Sequence, residues 1–343
     1  MNRSRLVVLV AMTVVVAGVT AGLGALWMGS AHAAVGPLAG EALILPKDAR
    51  FVMGFDVKRF AASPFYERFA KTHGMKPEML AQLEEHTGLN PARDIDQIVI
   101  AGSGPGGSRS PGLAVALGRF DLYKLGRAIE TDGKAVSSNH EGVTVYAFGN
   151  AASGSEEKRA LAVAFLDEAT LAFGARDQVL AAISSRTRNE APLKANTQLI
   201  ALVEKVQPGS TFWMVGDQSL LASMPASIPA PGASADGAAS LQLPALTSLT
   251  VTGDLDPQVS VAITGEARDA LAAKNLADIV RGLVAMASLQ AQQKPELQQL
   301  ASAISVATEE NRVLVNARVP YETLEALQPK RAHAVQASPA PAK

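Results

Sequence analysis

Residues 6–27 carry no charge, and they follow the basic opening Met1-Asn2-Arg3-Ser4-Arg5. A helix rises about 1.5 Å per residue, so this run just spans a hydrocarbon core roughly 30 Å thick. Nothing amphipathic or capped flanks it, so it does not read as a core helix. Arg3 and Arg5 hold the N-terminus on the cytoplasmic side by the positive-inside bias. Everything after Met28 is then expected outside the cytoplasm, in the periplasm or cell envelope.

Two fates fit residues 1–34. Ala31-His32-Ala33 has the small-x-small form of a signal-peptide cleavage site, and Gly18, Gly22 and Gly24 loosen the helix before it. The run is also longer than a typical signal-peptide core, and Trp27 suits a membrane interface, as an uncleaved anchor would require. An anchor makes the membrane itself a partner through residues 6–27.

The chain has 343 residues and no cysteine. Disulfides, thiolate metal sites, cysteine nucleophiles, iron–sulfur clusters and a lipidated-Cys anchor are therefore excluded. An exported body of this kind must be held by its core alone, and at 48% hydrophobic residues it has the material. Net charge is −1, and no basic run or stripe appears, so nucleic acid is not an expected partner.

The body reads as α+β. Strands are expected over 51–56, 95–101 and 113–117, and hairpins at 136–148 and 161–174. One helix is expected over 58–71, carrying Phe60, Phe65, Tyr66 and Phe69, and a second from Pro77 to the Thr87-Gly88 stop. Asp121 caps a third, and others cover 176–185 and 197–206. The pattern then restarts. Thr211-Phe212-Trp213-Met214-Val215-Gly216-Asp217 echoes Arg50-Phe51-Val52-Met53-Gly54-Phe55-Asp56, and Ala222-Ser223-Met224-Pro225 echoes Ala61-Ala62-Ser63-Pro64. Residues 246–253 echo 95–102, and 259–265 echo 113–118. A long helix over 267–292 follows, with an expected inward stripe of Leu276, Ile279, Val280, Leu283, Val284 and Ala287. A hairpin at 304–319 matches the one at 135–148. The expected fold is thus two diverged repeats, 46–206 and 207–328, each a mostly antiparallel sheet with helices on one face. Residues 225–244, rich in Ala, Pro, Ser and Gly, read as a flexible excursion, and 329–343 as a disordered tail.

The candidate sites weaken on inspection. The Gly-rich stretch 102–109 follows a strand but leads into another strand and contains Pro105, so it lacks the helix start of a phosphate loop. His32, His73, His86, His140 and His333 show no metal-ligand spacing, and no cofactor signature occurs. Asp94-x-Asp96, Asp254-x-Asp256, Glu156-Glu157 and Glu309-Glu310 are the acid pairs available for a carboxylate-based hydrolase, yet they read as solvated turn acids. No serine sits in a nucleophile elbow. The aromatic stripe on the first helix reads as core.

Leu45-Pro46-Lys47-Asp48-Ala49, then Ser63-Pro64-Phe65-Tyr66, then Thr87-Gly88-Leu89-Asn90-Pro91 through Asp94-Ile95-Asp96 resemble a group of uncharacterised exported bacterial proteins. These have a hydrophobic N-terminus and a domain of unknown function. The resemblance is clearest over 45–120. It implies an extracytoplasmic protein and carries no activity or functional residue.

The favoured reading is a non-enzymatic envelope module that binds another protein or holds a scaffold. A carrier of lipid or another apolar ligand, held beside the long helix, is the first alternative. A carboxylate hydrolase is the second. Intact mass spectrometry of membrane and soluble fractions separates the two N-terminal fates. A full-length mass confined to membranes marks an anchor, and a mass starting near Ala34 or Val35 marks a released body.

Overall fold

The computed structural model describes residues 38, 40–70, 77–103, 112–133, 135–148, 161–223, 227–229, 240–290 and 295–327. Residues 6–27 therefore lie outside the described part, as do 329–343. Among the described residues no helix is long and apolar enough to cross a membrane.

In chain order the first part is β1 (Phe51–Asp56), α1 (Val57–Ala62), a π-turn (Tyr66–Ala70), α2 (Pro77–Thr87) and α3 (Pro91–Asp94), then β2 (Ile95–Gly102) and β3 (Gly112–Gly118). It continues through α4 (Leu122–Asp132), β4 (Ala135–His140), β5 (Val143–Phe148), β6 (Leu161–Asp167), β7 (Thr170–Ala175), α5 (Arg176–Thr187) and α6 (Thr197–Glu204). The second part is β8 (Phe212–Asp217), α7 (Gln218–Ala222), β9 (Ser227–Pro229), β10 (Ser240–Gln242), β11 (Leu246–Asp254) and β12 (Val259–Ala267). It ends with α8 (Ala270–Gln290), α9 (Pro295–Ser302), β13 (Ile304–Glu309), β14 (Arg312–Val319) and α10 (Tyr321–Leu327).

Twelve strands form one antiparallel sheet in the order β13-β14-β12-β11-β8-β1-β2-β3-β7-β6-β5-β4. The α+β class holds, and the sheet runs without a break from one half of the chain to the other. The junction is the β1·β8 ladder, in which Met53 lies opposite Met214. Flanking bonds are reciprocal: Asp56 N–H donates to Thr211 O and Asp217 N–H to Arg50 O, each at 3.0 Å. Phe51 pairs with Gly102 on one side of the centre, and Phe212 with Gly253 on the other. The next ladder outward on each side, β2·β3 and β11·β12, carries a bulge, at Ile95/Gln97 and at Leu246/Ser248.

The sheet has two faces, separated by the strand period of two. On the front, Val52, Val99, Val115, Ala164, Ala172 and Val215 are buried under Val179, Ala182 and Ile183 of α5, Leu193, and Leu199 and Val203 of α6. On the back, Ile98, Ala114, Val163, Leu171 and Phe173 are buried under Val57, Leu89, Phe120 and Leu125 of α4. The first half is therefore three-layered, not a sheet with helices on one face as expected. Its central strands are apolar on both sides, which demands two covers. Beyond β8, the described helices cover only one face of β11, β12, β14 and β13. Val313 and Val315 meet α8, and Val259 and Val319 meet α9 and α10, all on the back.

Three local expectations change. The helix over 58–71 ends at Ala62, because Pro64 cannot donate to the preceding turn and forces Ser63 to extended backbone, φ −76° and ψ 147°. The long helix ends at Gln290, and α9 was not anticipated. Its fully buried residues are Ala273 and Ala277, while the expected stripe at Leu276, Ile279, Val280, Leu283 and Val284 is half-buried and Ala287 exposed. Small side chains bring the helix close to the sheet, and the larger ones flank that line. The 225–244 stretch contributes the two-stranded ribbon of β9 and β10.

The hairpin beside β12 is β13–β14, and the hairpin beside β3 is β6–β7. Gly118 N–H donates to Ala169 O at 2.9 Å, and Ala267 N–H to Asn311 O at 2.8 Å. By position in the sheet, 304–319 thus corresponds to 161–175. The 135–148 hairpin matched to it from element order instead forms an outer edge.

Trp213 is fully buried on the front face and lies opposite Gly54. A Cβ on Gly54 would stand 2.5 Å from Trp213 Nε1. Gly54→Ala is expected to cost about 1–3 kcal/mol by overpacking, seen as a lower urea midpoint at unchanged slope. Gly282→Ala, where a Cβ meets nothing within 4 Å, is expected to stabilise by up to about 1 kcal/mol through helix propensity.

Candidate functional site

Asp94, Asp96, Asp254 and Glu309 each have a structural partner. Asp94 is almost fully buried at the start of β2 and accepts from Arg93 Nε at 2.7 Å, a second Arg93 nitrogen at 2.7 Å and Asn90 N–H at 2.7 Å. Arg93 also reaches Glu84 at 2.5 Å, and Arg119 donates to Arg93 O at 2.9 Å. Burial pushes the Asp94 carboxyl up, but the Arg93 guanidinium and the Asn90 N–H outweigh it and hold it below the usual range. Thr87 Oγ1 donates to Leu83 O at 2.6 Å and accepts from Leu89 N–H at 3.1 Å, and Gly88 takes a positive φ of 71°. Residues 87–96 thus form a knot that turns α2 through α3 into β2.

Lys58 and Arg59, neighbours on α1, reach acids in both halves of the sheet. Lys58 pairs with Asp96 at 2.6 Å, and Arg59 with Asp254 Oδ2 at 3.2 Å. Asp254 Oδ1 accepts from Thr211 Oγ1 at 2.9 Å and from Leu255 N–H at 2.8 Å. Asp256 is exposed next to this loop, and Glu309 pairs with Arg312 at 3.3 Å. Glu156 and Glu157 lie outside the described residues. The cross-cleft arrangement needed by a carboxylate pair is not what these partners make: Asp94 and Asp254 are each occupied by an arginine and backbone N–H groups.

Phe60, Phe65 and Tyr66 belong to an aromatic cluster with Tyr321. Ring centroids lie 5.1 Å apart for Phe60–Tyr66 and 6.2 Å for Phe65–Tyr321, with Arg68 5.2 Å above the Tyr321 ring. They pack with Val259 and Val319, as core residues do. The Phe69 side chain lies outside the described part.

His86 Nδ1 lies 2.7 Å from Gln82 O, as a helix-surface histidine donating to its own helix. His32, His73 and His333 lie outside the described residues, as do positions 104–109 of the Gly-rich loop. His140 has a partner that sequence reasoning missed. Its Nε2 is 3.1 Å from Ser184 Oγ, which donates to Glu141 Oε1 at 2.7 Å. Three residue types of a hydrolytic triad meet here, but in the wrong order. In a triad the histidine takes the serine proton and the carboxylate orients the histidine. Here the carboxylate already holds the serine proton, so the imidazole donates to Ser184. The bond from the Ser184 hydroxyl to Glu141, opposed by burial and assisted by Thr187 and Arg188, holds the Glu141 carboxyl below the usual carboxylate range. The cluster fastens the β4–β5 turn to α5. No pattern signal links residues 140 and 184, because the contact joins a hairpin to a helix 44 positions later.

Two surfaces are left. One is a broad depression of about 590 Å³ between the 3-10 segment Gly40–Ile44, α5 and the 3-10 turn Pro192–Ala195, edged by Lys47, Asp48, Gln178 and Glu190. The other is the front of β11, β12, β14 and β13. Val215 pairs with Thr250, Thr250 with Thr264, and Thr264 with Leu314, which carries the front face outward. Thr250, Thr252, Ala262, Thr264 and Asn316 lie on it, each partly exposed. Among the described residues no helix covers it. Four neighbouring strands spaced about 4.8 Å apart make this shelf.

No family model matches the chain, and no curated protein matches it. It is similar to solved structures of TP0453 in crystal forms III, I and IV, with TM-scores of 0.45, 0.43 and 0.40. Each is 11% identical and covers 85% of this chain and 96% of its own. At that identity and fit the likeness assigns neither a site nor an activity.

Asp94→Ala is expected to lower stability by about 1–3 kcal/mol near pH 7, since it removes charge-assisted bonds and leaves the Asn90 N–H unpaired. Asp94 is held below its unfolded value, so its contribution is full above the ordinary carboxylate range. It is lost as pH falls through the folded value. Urea titrations at descending pH should therefore show variant and parent converging in acid.

Proposed function

We propose that the chain is an extracytoplasmic envelope protein whose body is a non-enzymatic binding or scaffold module. The observation that carries this reading is the shelf on β11, β12, β14 and β13, which no described helix covers and where Thr250, Thr252, Thr264 and Asn316 stand beside Ala262 and Leu314. A small-molecule site is concave and mostly apolar with a few convergent polar groups, whereas flat, polar, extended surfaces suit another macromolecule. The structural use of Asp94 and Asp254 supports it further. The uncharged run at 6–27 supports export, and as an anchor it would hold the shelf near a membrane. The carrier alternative gains no support where α8 meets the sheet, since Ala273 and Ala277 leave that line closely packed against Val313.

We further infer that the body comprises two diverged copies of one unit, related by an approximate two-fold axis between Met53 and Met214. Several paired features support it. Asp56 caps α1 through Arg59 N–H at 2.8 Å, and Asp217 caps α7 through Leu220 N–H at 2.9 Å. Arg50 N–H donates to Gly102 O at 2.8 Å, and Thr211 N–H to Gly253 O at 2.9 Å. The matching bulges and the Gly118–Ala169 and Ala267–Asn311 bonds extend the correspondence outward. Under it, α5 and α6 cover the front of the first copy, and the shelf is the same face of the second copy left bare.

A photo-crosslinking residue placed at Thr264 or Asn316 in cells is expected to trap an envelope protein. The same residue at Leu271, on the back of α8, is expected to trap none. Thr264→Arg should abolish the adduct. Equal labelling from Leu271, or turnover of hydrolase substrates by the purified chain, would overturn the reading.

A further inference from the structure

A twelve-stranded open sheet has two edges, and they are finished differently. A strand edge left with unpaired N–H and C=O groups is a template for another strand unless a charge, proline, bulge or cover blocks it. At the β13 edge, Glu309 pairs with Arg312 across the two-residue turn Glu310-Asn311. Pairs alternate between bonded and non-bonded along an antiparallel ladder. Val306 therefore turns its backbone groups outward, and the Arg281 guanidinium of α8 donates to its carbonyl at 3.3 Å. An arginine stands on that edge.

At the other edge, β4 and β5 are joined by Glu141-Gly142, with positive φ of 48° and 86°, and His140 pairs with Val143 beside the turn. The same alternation directs His140, Ser138 and Val136 to β5 and turns Ala135, Ser137 and Asn139 outward. β4 reads Ala-Val-Ser-Ser-Asn-His, with no proline, lysine, arginine or acid. Its side chains at Val136, Ser137 and Asn139 are exposed, Val136 at 58%. Among the described residues no bond reaches the outward backbone groups.

We propose that β4 is the dimerisation edge of this chain, pairing antiparallel with β4 of a second copy about a two-fold axis at Ser137. The ladder itself demands an extended strand as occupant, and three features favour a second copy. Laid on itself, β4 sets Ala135 opposite Asn139 and Val136 opposite Ser138, so no like charges meet. Val136 gains a neighbour it lacks in the monomer. The contact is isologous, so each β4 edge is used up by its partner and assembly through it closes at two copies. The interface is small, so the dimer is concentration-dependent.

The absence of cysteine makes the test clean. Ser137→Cys in the full chain, in detergent or membranes under mild oxidation, is expected to give a disulfide-linked dimer on non-reducing gels. Thr308→Cys, on the β13 edge, is expected to give none. Sedimentation of the parent should show a concentration-dependent shift from monomer to dimer. Ser137→Pro removes only an outward N–H, so it should keep the parent's circular dichroism and urea midpoint while losing the dimer. A parent that sediments as a monomer at every concentration, equal crosslinking at Thr308, or a folded Ser137→Pro chain that still dimerises would each overturn the proposal.

Discussion

The ladder between β1 and β8 holds the two halves of the sheet together. Both strands are buried on both faces, so each residue has one correct side and a slip of one register would turn every side chain over. The fit is set by volume exchange. Val52 lies opposite Val215, and two positions along, Trp213 lies opposite Gly54. One medium pair and one large–small pair fill neighbouring sites on the same face. Only glycine lets the indole lie flat against the neighbouring strand, and only the indole fills the space that glycine leaves. Without cysteine, this packing and the helices over it are what holds the body together.

Around that centre the charged residues act as fasteners. Lys58 and Arg59 come from one turn of α1, yet they pair with β2 in one half and with the end of β11 in the other. Asp94 and Arg93 tie a loop, a short helix and a strand into one knot. Salt bridges at exposed positions contribute little, but a nearly buried carboxylate such as Asp94 leaves an expensive orphan if its partners are removed. Asp94, Asp96 and Asp254, which sequence offers as catalytic candidates, thus have a mechanical use, and the Ser184–His140–Glu141 cluster has another.

The sheet is covered unequally. Among the described residues, helices lie on both faces of the sheet from β8 through β7 but only on the back of β11, β12, β14 and β13, and Arg281 reaches one edge while the other ends in an uncharged strand. Proteins ordinarily cover or charge such features.

Much of the local structure was legible. Strands followed from runs of β-branched and aromatic residues between glycines, and helix starts from Asp121 and Pro77, because these preferences act within a few residues. The Ser63-Pro64 break was legible too, from the missing N–H, although the aromatic spacing over 58–71 masked it. The contact line of α8 was misjudged because the largest apolar residues were expected inward, whereas close approach to the sheet selects Ala273 and Ala277. Sequence by itself determined the uncharged run at 6–27, the absence of cysteine chemistry and the α+β alternation. Only tertiary structure decided the order of the twelve strands, the placement of β6–β7 beside β3 and of β13–β14 beside β12, the two-sided cover of the first half and the meeting of Ser184 with His140. Each of those depends on contacts between segments far apart in the chain, and short-range preference carries no information about which distant surface a strand or helix will bury against.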